Sequence, residues 1–463
     1  MPRSRRLCVI GGGPVGIETA LAFVHGGVYK VTLLERGKNY AANVSAWDHV
    51  RLFSPWSYNT SVHGRAVLKS CSLPLPDDDA YPTGAELREL YLAHLWAFLQ
   101  AHEAVELKTG STVIGVTRGI ALKGDMGAAK RHGQKFRVLS TRSQTHNATE
   151  EDGKQQEEQE EMLDEFDAVI DASGTYGNAN NYGIGGLPAF GERSLRNDTS
   201  IVSIIPDVAT QPLKYGHGRT TAVLGTGHSA ITTINALRQL ALQQQKEGKE
   251  GRSAGVKLIW ATRRSNDLYE DIKNDPLPQR VTLNALGNSL CGTKDTTVAK
   301  GFEVTHLGGM QLLAMKRVQE KNERSRIQLT FQKMLSNKSE EESEEESEES
   351  EEKREEVVVV VVVDEVVANV GFRPDMSISR ELQVHHCYAT EGPMKLAAQL
   401  MASGSGGGDC LAQTSGGAAS LLSPERGFLV LGMKSYGRSS KFLLKIGNEQ
   451  IAHAIALLEG GEY

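Results

Sequence analysis

Leu7-Cys8-Val9-Ile10 is a short apolar run that breaks directly into Gly11-Gly12-Gly13-Pro14-Val15-Gly16. Its length and bulk predict a buried parallel strand. Apolar spacing through Ile17, Ala20, Leu21 and Val24 predicts a helix immediately afterwards. The glycines at 11, 13 and 16 form G-x-G-x-x-G. In that pattern the first permits a tight turn, the second lets backbone approach a pyrophosphate, and the third lets helix and strand pack closely. The helix start then offers free N–H groups and partial positive charge to phosphate. A second strand, Lys30-Val31-Thr32-Leu33-Leu34, ends in Glu35, whose carboxylate can accept hydrogen bonds from an adenosine ribose. A glycine turn alone is a weak signal; strand, glycines, helix, strand and terminal acid in that order predict a dinucleotide site.

The pattern recurs. Thr220–Leu224 reads as a strand, Gly225-Thr226-Gly227-His228-Ser229-Ala230 gives G-x-G-x-x-A, and a helix follows through Ile231, Ile234, Leu237 and Leu240. The next strand, Val256–Ala261, runs into Thr262-Arg263-Arg264 where the first unit has Glu35. An acid there repels a ribose 2′-phosphate, whereas guanidiniums pair with it bidentately, so the second site is expected to prefer NADPH to NADH. A solvated basic turn is the alternative reading of Arg263 and Arg264. His228 stands at the turn entering the helix, where lining a pyrophosphate suits it better than acid–base work.

At 463 residues the chain exceeds one compact core, and two or three domains are expected. The formal charge of −6 is local: residues 340–356 carry twelve Glu against Lys353 and Arg354, leaving the remainder at about +4. Nothing in that balance suggests a nucleic-acid surface. Five scattered cysteines without a C-x-x-C pair argue for a reducing compartment and against a disulfide framework or a zinc ribbon. No metal site is expected. The first strand begins too early for a leader to precede it, and Val357–Val363 is too short to span a bilayer, so a cytoplasmic protein without membrane attachment is expected. Residues 336–356 read as disordered and acidic, Gln144–Glu161 as a solvated insertion, and Ser403–Gly408 as a flexible loop.

Between these landmarks, Trp47–Asn59 concentrates aromatics in a chain with only 6% of them; it is either ordinary packing or a wall beside a flat ring, with Arg51 available to phosphate or flavin oxygens. Thr83 and Glu86 have the spacing of a capping box opening a helix through Leu87, Leu90, Tyr91, Leu95 and Phe98. The strand Phe166–Ile170 runs into Asp171-Ala172-Ser173-Gly174, small residues that let backbone approach a ligand or simply close a core strand. Val357–Val363 is expected to resume the second sheet, and Gly427–Met433 to add one more strand before a closing helix, Phe442 to Leu458.

Taken together, Gly11–Gly16 with Glu35, Tyr81-Pro82-Thr83-Gly84, Asp171–Gly174, Gly225–Ala230, Val370-Gly371-Phe372-Arg373-Pro374 and Gly432-Met433-Lys434-Ser435-Tyr436-Gly437 resemble the two-dinucleotide-binding-domain flavoproteins, in their flavin-containing monooxygenase-like branch. The resemblance implies an α/β chain with two Rossmann-like domains, an NADPH domain inserted into a discontinuous FAD domain. The expected bounds are 1–205 and 376–463 for FAD and 206–375 for NADPH. It implies FAD at Gly11, Gly13, Pro14, Val15, Gly16, Glu35 and Arg36, with Arg51, Leu52, Val113, Ser173, Gly174, Gly432, Met433 and Lys434 completing that set. NADPH falls to Gly225, Gly227, His228, Ser229, Arg263 and Arg264. The absent C-x-x-C departs from disulfide reductases of this architecture. The motif F-x-G-x-x-x-H of the best-known monooxygenases is absent from residues 175–219.

Three functions follow as expectations: an NADPH-dependent FAD monooxygenase, a flavin reductase passing electrons to a quinone, metal or protein acceptor, or a nucleotide-binding regulator without turnover. The partner is a small-molecule substrate or electron acceptor, and no catalytic residue is assigned.

Overall fold

The computed structural model describes residues 4–144, 158–246, 255–270, 272, 275–293, 296–299, 301–319, 324–333, 357–402, 411 and 413–460. The acidic segment 336–356, the loop 403–408 and most of the 144–161 insertion lie outside them. The chain divides into two compact units: Met1–Asn178 with Phe372–Tyr463, and Ala179–Gly371 nested in sequence between them.

The discontinuous unit is built on a five-stranded parallel sheet in the order Phe428–Val430, Ala168–Asp171, Arg5–Ile10, Tyr29–Leu34, Val105–Lys108. Arg5–Ile10 lies central because the chain leaves it in both directions, with Ile10 opposite both Leu34 and Asp171. That reversal of strand order is the switch point of an open α/β sheet, where a crevice opens beyond the carboxyl ends of the strands. The helix Pro14–Gly26 covers one face with Ile17, Leu21 and Val24. The helix Leu444–Glu459 packs beside it through Ile451, Ala454 and Leu458. On the other face a three-stranded antiparallel sheet, Ser111–Arg118, Phe136–Gln144 and Glu158–Phe166, closes over Cys8, Ile10 and Leu34. Glu158–Glu161 therefore pairs in register with Thr141–Gln144 as strand, where composition had suggested a solvated insertion. The capping box forms as the spacing predicts: Thr83 Oγ1 accepts from Glu86 N–H at 3.1 Å, and Glu86 Oε2 accepts from Thr83 N–H at 2.6 Å. The helix it opens passes through one π turn, Arg88–Leu92, before continuing to Ala101.

The nested unit repeats the plan with six strands, in the order Thr296–Ala299, Phe302–Gly308, Val256–Thr262, Thr220–Leu224, Glu365–Ala368, Ile201–Val202. It starts at Ala179, earlier than residue 206, because the two-residue strand Ile201–Val202 pairs with Val366–Val367 at the sheet edge. Gly183 and Phe190 also bridge to Leu312 and Ala314. It ends at Gly371 and not at 375. The valine run does not continue the parallel sheet: Val358–Val363 is the third strand of a separate antiparallel sheet with Met310–Val318 and Arg326–Lys333. Asp364 divides it from Glu365–Ala368, its carboxylate accepting from Thr220 N–H at 2.9 Å and pairing with Arg219 at 3.2 Å. That polar stop makes two strands of one apolar stretch.

Candidate functional site

Both units carry the same cradle at the same place. In the discontinuous unit Gly11 leaves the central strand with φ +106°, and a Cβ there would lie 2.7 Å from the carbonyl oxygen of Ala172. In the nested unit Gly225 has φ +121°, and a Cβ would press into the carbonyl oxygen of Asn369. Each turn is thus backed by the segment following the neighbouring strand, and each backing segment reaches glycine two residues later, at Gly174 and Gly371. Only a residue without a side chain fits either turn.

Gly16 closes the first turn: a Cβ on it would overlap Gly11 O. Gly13 differs in kind. Its backbone is extended, a Cβ would meet nothing within 4 Å, and no side chain caps the helix that Pro14 begins. Open space in front of an uncapped helix start suits a pyrophosphate. Val15 packs instead on the returning segment, since Cβ atoms at Gly432 and Gly447 would lie 3.2 and 2.9 Å from its Cγ2. Gly432 is fixed there by its N–H donating to Gln450 Oε1 at 2.8 Å.

Glu35 ends its strand as the sequence predicts, and its carboxylate is aimed by two backbone donors, Gly12 N–H at 2.6 Å and Gly37 N–H at 2.5 Å. Each oxygen retains acceptor capacity for a hydroxyl. Arg36 is exposed and lies over Gly177, where a Cβ would come 2.8 Å from its guanidinium. Ser111 N–H donates to Glu35 O at 2.8 Å, and Val113 stands at a register shift in the strand that follows. Glu35, Ser173 and Gly432 thus lie against the first turn or the helix start, Glu35 through Gly12, Ser173 with its Cα 2.9 Å from where a Gly11 Cβ would stand, and Gly432 through Val15.

Lys434 is not a surface contact. Its ammonium lies 2.6 Å from Asp171 Oδ2 and 3.0 Å from Ser173 Oγ, and both charged side chains are 1% exposed. Ser173 Oγ in turn donates to Asp171 Oδ1 at 2.6 Å. Met433 beside it is half-buried, and Tyr436 is buried with its hydroxyl donating to Thr414 O at 2.5 Å. Arg51 and Leu52 are tied to the segment that opens the capping-box helix. Leu52 N–H donates to Pro82 O at 2.8 Å, and the Arg51 guanidinium donates to Tyr81 O with Glu86 at 3.8 Å.

In the nested unit Gly227 opens on free space like Gly13, and Ser229 is exposed. His228 turns its ring toward a neighbouring helix, with Nε2 3.1 Å from Asn284 Oδ1. Arg263 is exposed; Arg264 donates to Leu268 O at 2.5 Å, which curls the turn. Of the residues that set the two backing segments, Asp171 was read only as part of a strand end that admits a ligand or closes the core, and Asn369 escaped sequence reasoning. Asn369 Oδ1 accepts from Thr233 Oγ1 at 2.8 Å. A polar residue ending each apolar strand was the available signal.

Among the described residues no group of His, Cys, Asp or Glu could hold a metal ion, and no helix is long and apolar enough to cross a membrane. No protein-family model matches the sequence, and no curated protein matches it. Solved structures do. Bacillithiol disulfide reductase from Bacillus cereus aligns over 99% of this chain and 98% of its own, at 15% identity and a TM-score of 0.55. The Staphylococcus aureus enzyme of that name aligns over 99% and 100%, at 13% identity and 0.56. DfoA, the FAD-bound cadaverine monooxygenase of desferrioxamine biosynthesis from Erwinia amylovora, aligns over 98% and 94%, at 12% identity and 0.56. The chain has the two-dinucleotide-binding-domain flavoprotein fold.

Proposed function

We propose that this protein is an NADPH-dependent, FAD-containing oxidoreductase, and specifically a monooxygenase. One observation carries the reading: two cradles of the same construction end their second strands in opposite chemistry, Glu35 in one and Arg263-Arg264 in the other. The acid suits unphosphorylated ribose and so FAD; the guanidiniums suit a 2′-phosphate and so NADPH. Held in these two cradles, NADPH would supply a hydride and FAD would supply the redox chemistry that links it to oxygen. The residues themselves bind and orient. Gly11–Gly16 and the helix start receive the pyrophosphate, Glu35 the ribose, and Gly225–Ser229 the second dinucleotide. Lys434, held by Asp171 and Ser173, fixes the segment that backs the first turn. The absent C-x-x-C pair argues against dithiol chemistry, and the likeness to a cadaverine monooxygenase supports oxygen as acceptor.

A flavin reductase serving another acceptor is the second reading, favoured by the likeness to two disulfide reductases. Purified protein should be yellow, and anaerobic NADPH should bleach it faster than NADH. In air, an amine, sulfide or ketone should give an oxygenated product. Peroxide alone, or oxygen-independent turnover with an artificial acceptor, would replace the monooxygenase by the reductase.

A further inference from the structure

The strand Phe302–Gly308 carries His306 against the end of Val256–Thr262, buried with its ring 4.7 Å from Trp260. Its hydrogen bonds fix its tautomer. Gly292 N–H can only donate, and it points at Nδ1 at 2.9 Å, so Nδ1 is bare and Nε2 carries the proton. Nε2–H then donates to Thr262 Oγ1 at 2.8 Å, and Thr262 Oγ1–H donates to Arg264 O at 2.6 Å. The three bonds run in one direction, each donor with its acceptor. Burial supports this neutral form by lowering the imidazole pKa.

The relay ends on the backbone of the Arg263-Arg264 turn, at the end of the strand Val256–Thr262. The His306 strand touches that turn again: a Cβ at Gly308 would lie 3.0 Å from Ser265 Cα, and one at Gly309 2.6 Å from Ser265 Oγ. Thr262 and His306 thus anchor a short exposed turn to the sheet, and Arg263 and Arg264 project from the anchored part.

We infer that His306, acting through Thr262, is a positioning residue for dinucleotide selection, holding the Arg263-Arg264 turn where it meets a 2′-phosphate. This rests on the assignment of NADPH to the nested unit. A guanidinium pair discriminates only if its backbone is held; a loose turn leaves both cations solvated and adds ordering cost to every phosphate contact.

The test is calorimetric titration of the purified full chain with NADP+ and with NAD+, for wild type, His306→Leu, His306→Gln and Thr262→Val. Wild type should prefer NADP+. His306→Leu and Thr262→Val should weaken NADP+ roughly tenfold, the size expected of one or two lost hydrogen bonds, and leave NAD+ within about twofold. His306→Gln, which keeps a donor for Thr262, should recover part of the preference. Thr262→Val is nearly isosteric and keeps the test alive should His306→Leu not fold. Folded variants with wild-type NADP+ affinity, or with equal losses for both nucleotides, overturn the inference while the NADPH reading stands. A wild type that binds the two nucleotides equally overturns the NADPH reading and the inference with it.

Discussion

Lys434 Nζ lies 2.6 Å from Asp171 Oδ2 although 263 residues separate them, and both side chains are withdrawn from water. The pair joins the returning segment to the strand beside Arg5–Ile10, directly behind the first glycine turn. Its removal from one side strands a buried charge. Lys434→Met should cost about 3–5 kcal/mol and reduce retained FAD. The double variant Lys434→Met/Asp171→Asn should be more stable than Lys434→Met alone, by urea denaturation. Equal stabilities would show that the carboxylate does not need its partner.

Two glycines in one turn should fail differently. Gly16→Ala forces its Cβ into Gly11 O, so the turn must rearrange and the protein should melt lower and lose flavin. Gly13→Ala meets open space in the bare fold. Its melting temperature without flavin should be unchanged, and any loss of colour then reports the approach of the cofactor to backbone. Thermal melts with and without added FAD separate the two.

Arg263 is exposed and makes no hydrogen bond or ion pair among the described residues. Arg263→Glu should therefore leave folding stability within about 0.5 kcal/mol. The same change should weaken NADPH and favour NADH, read as the ratio of flavin-reduction rates with the two donors. A ratio equal to wild type would assign the basic turn to solvent.

Burial holds His306, His63 and His386 below the ordinary histidine pKa, helped at His63 by His25 and at His386 by Lys434. The unfolded chain then binds more protons than the folded one just below the ordinary value. Stability should accordingly rise with pH through the window from each lowered folded pKa up to about 6.5 and fall on acidification through it. Urea midpoints between pH 5 and 7.5 in the absence of nucleotide check the sign. The raised carboxyls of Glu18, Glu365 and Glu459 oppose this slope, so the check is the difference between wild type and His306→Leu: equal pH slopes would mean that the His306 ring protonates in place.

Glu18 titrates in the opposite sense. It is buried in the first helix, raised by burial, and bonded to the Tyr91 hydroxyl and to Ser61 Oγ at 2.6 Å. A raised carboxyl favours folding below its unfolded pKa, and that contribution is lost as pH rises through the folded value. Glu18→Gln keeps a neutral polar group in the site. It should remove this dependence and be at least as stable as wild type at pH 8, by thermal melting.

Both glycine turns, the strand–helix–strand units around them, Glu35 and the capping box at Thr83 were legible because each is fixed by local spacing. What escaped is set by distant partners. Lys434 reads only as a member of the FAD set that the resemblance implies, and its buried pairing with Asp171 has no local signal. Arg51 reads as free until Tyr81 and Glu86 take its guanidinium. The valine run has no periodicity to say which sheet it joins, and Asp364 decides the matter through Thr220 and Arg219. The start of the nested unit hangs on isolated pairings, Gly183 with Leu312, Phe190 with Ala314 and the two-residue strand Ile201–Val202, too short to leave a pattern.

Where the chain enters and leaves its nested portion, the two crossings run side by side. Asn180 N–H donates to Gly371 O at 3.0 Å, and Arg373 N–H donates to Asn178 O at 2.9 Å. An exit so close to its entrance makes Ala179–Gly371 a cassette: a short bridge could replace it without pulling on the strands that remain, and the excised piece could be rejoined end to end. Grafting a foreign module at that seam is the engineering route this architecture leaves open.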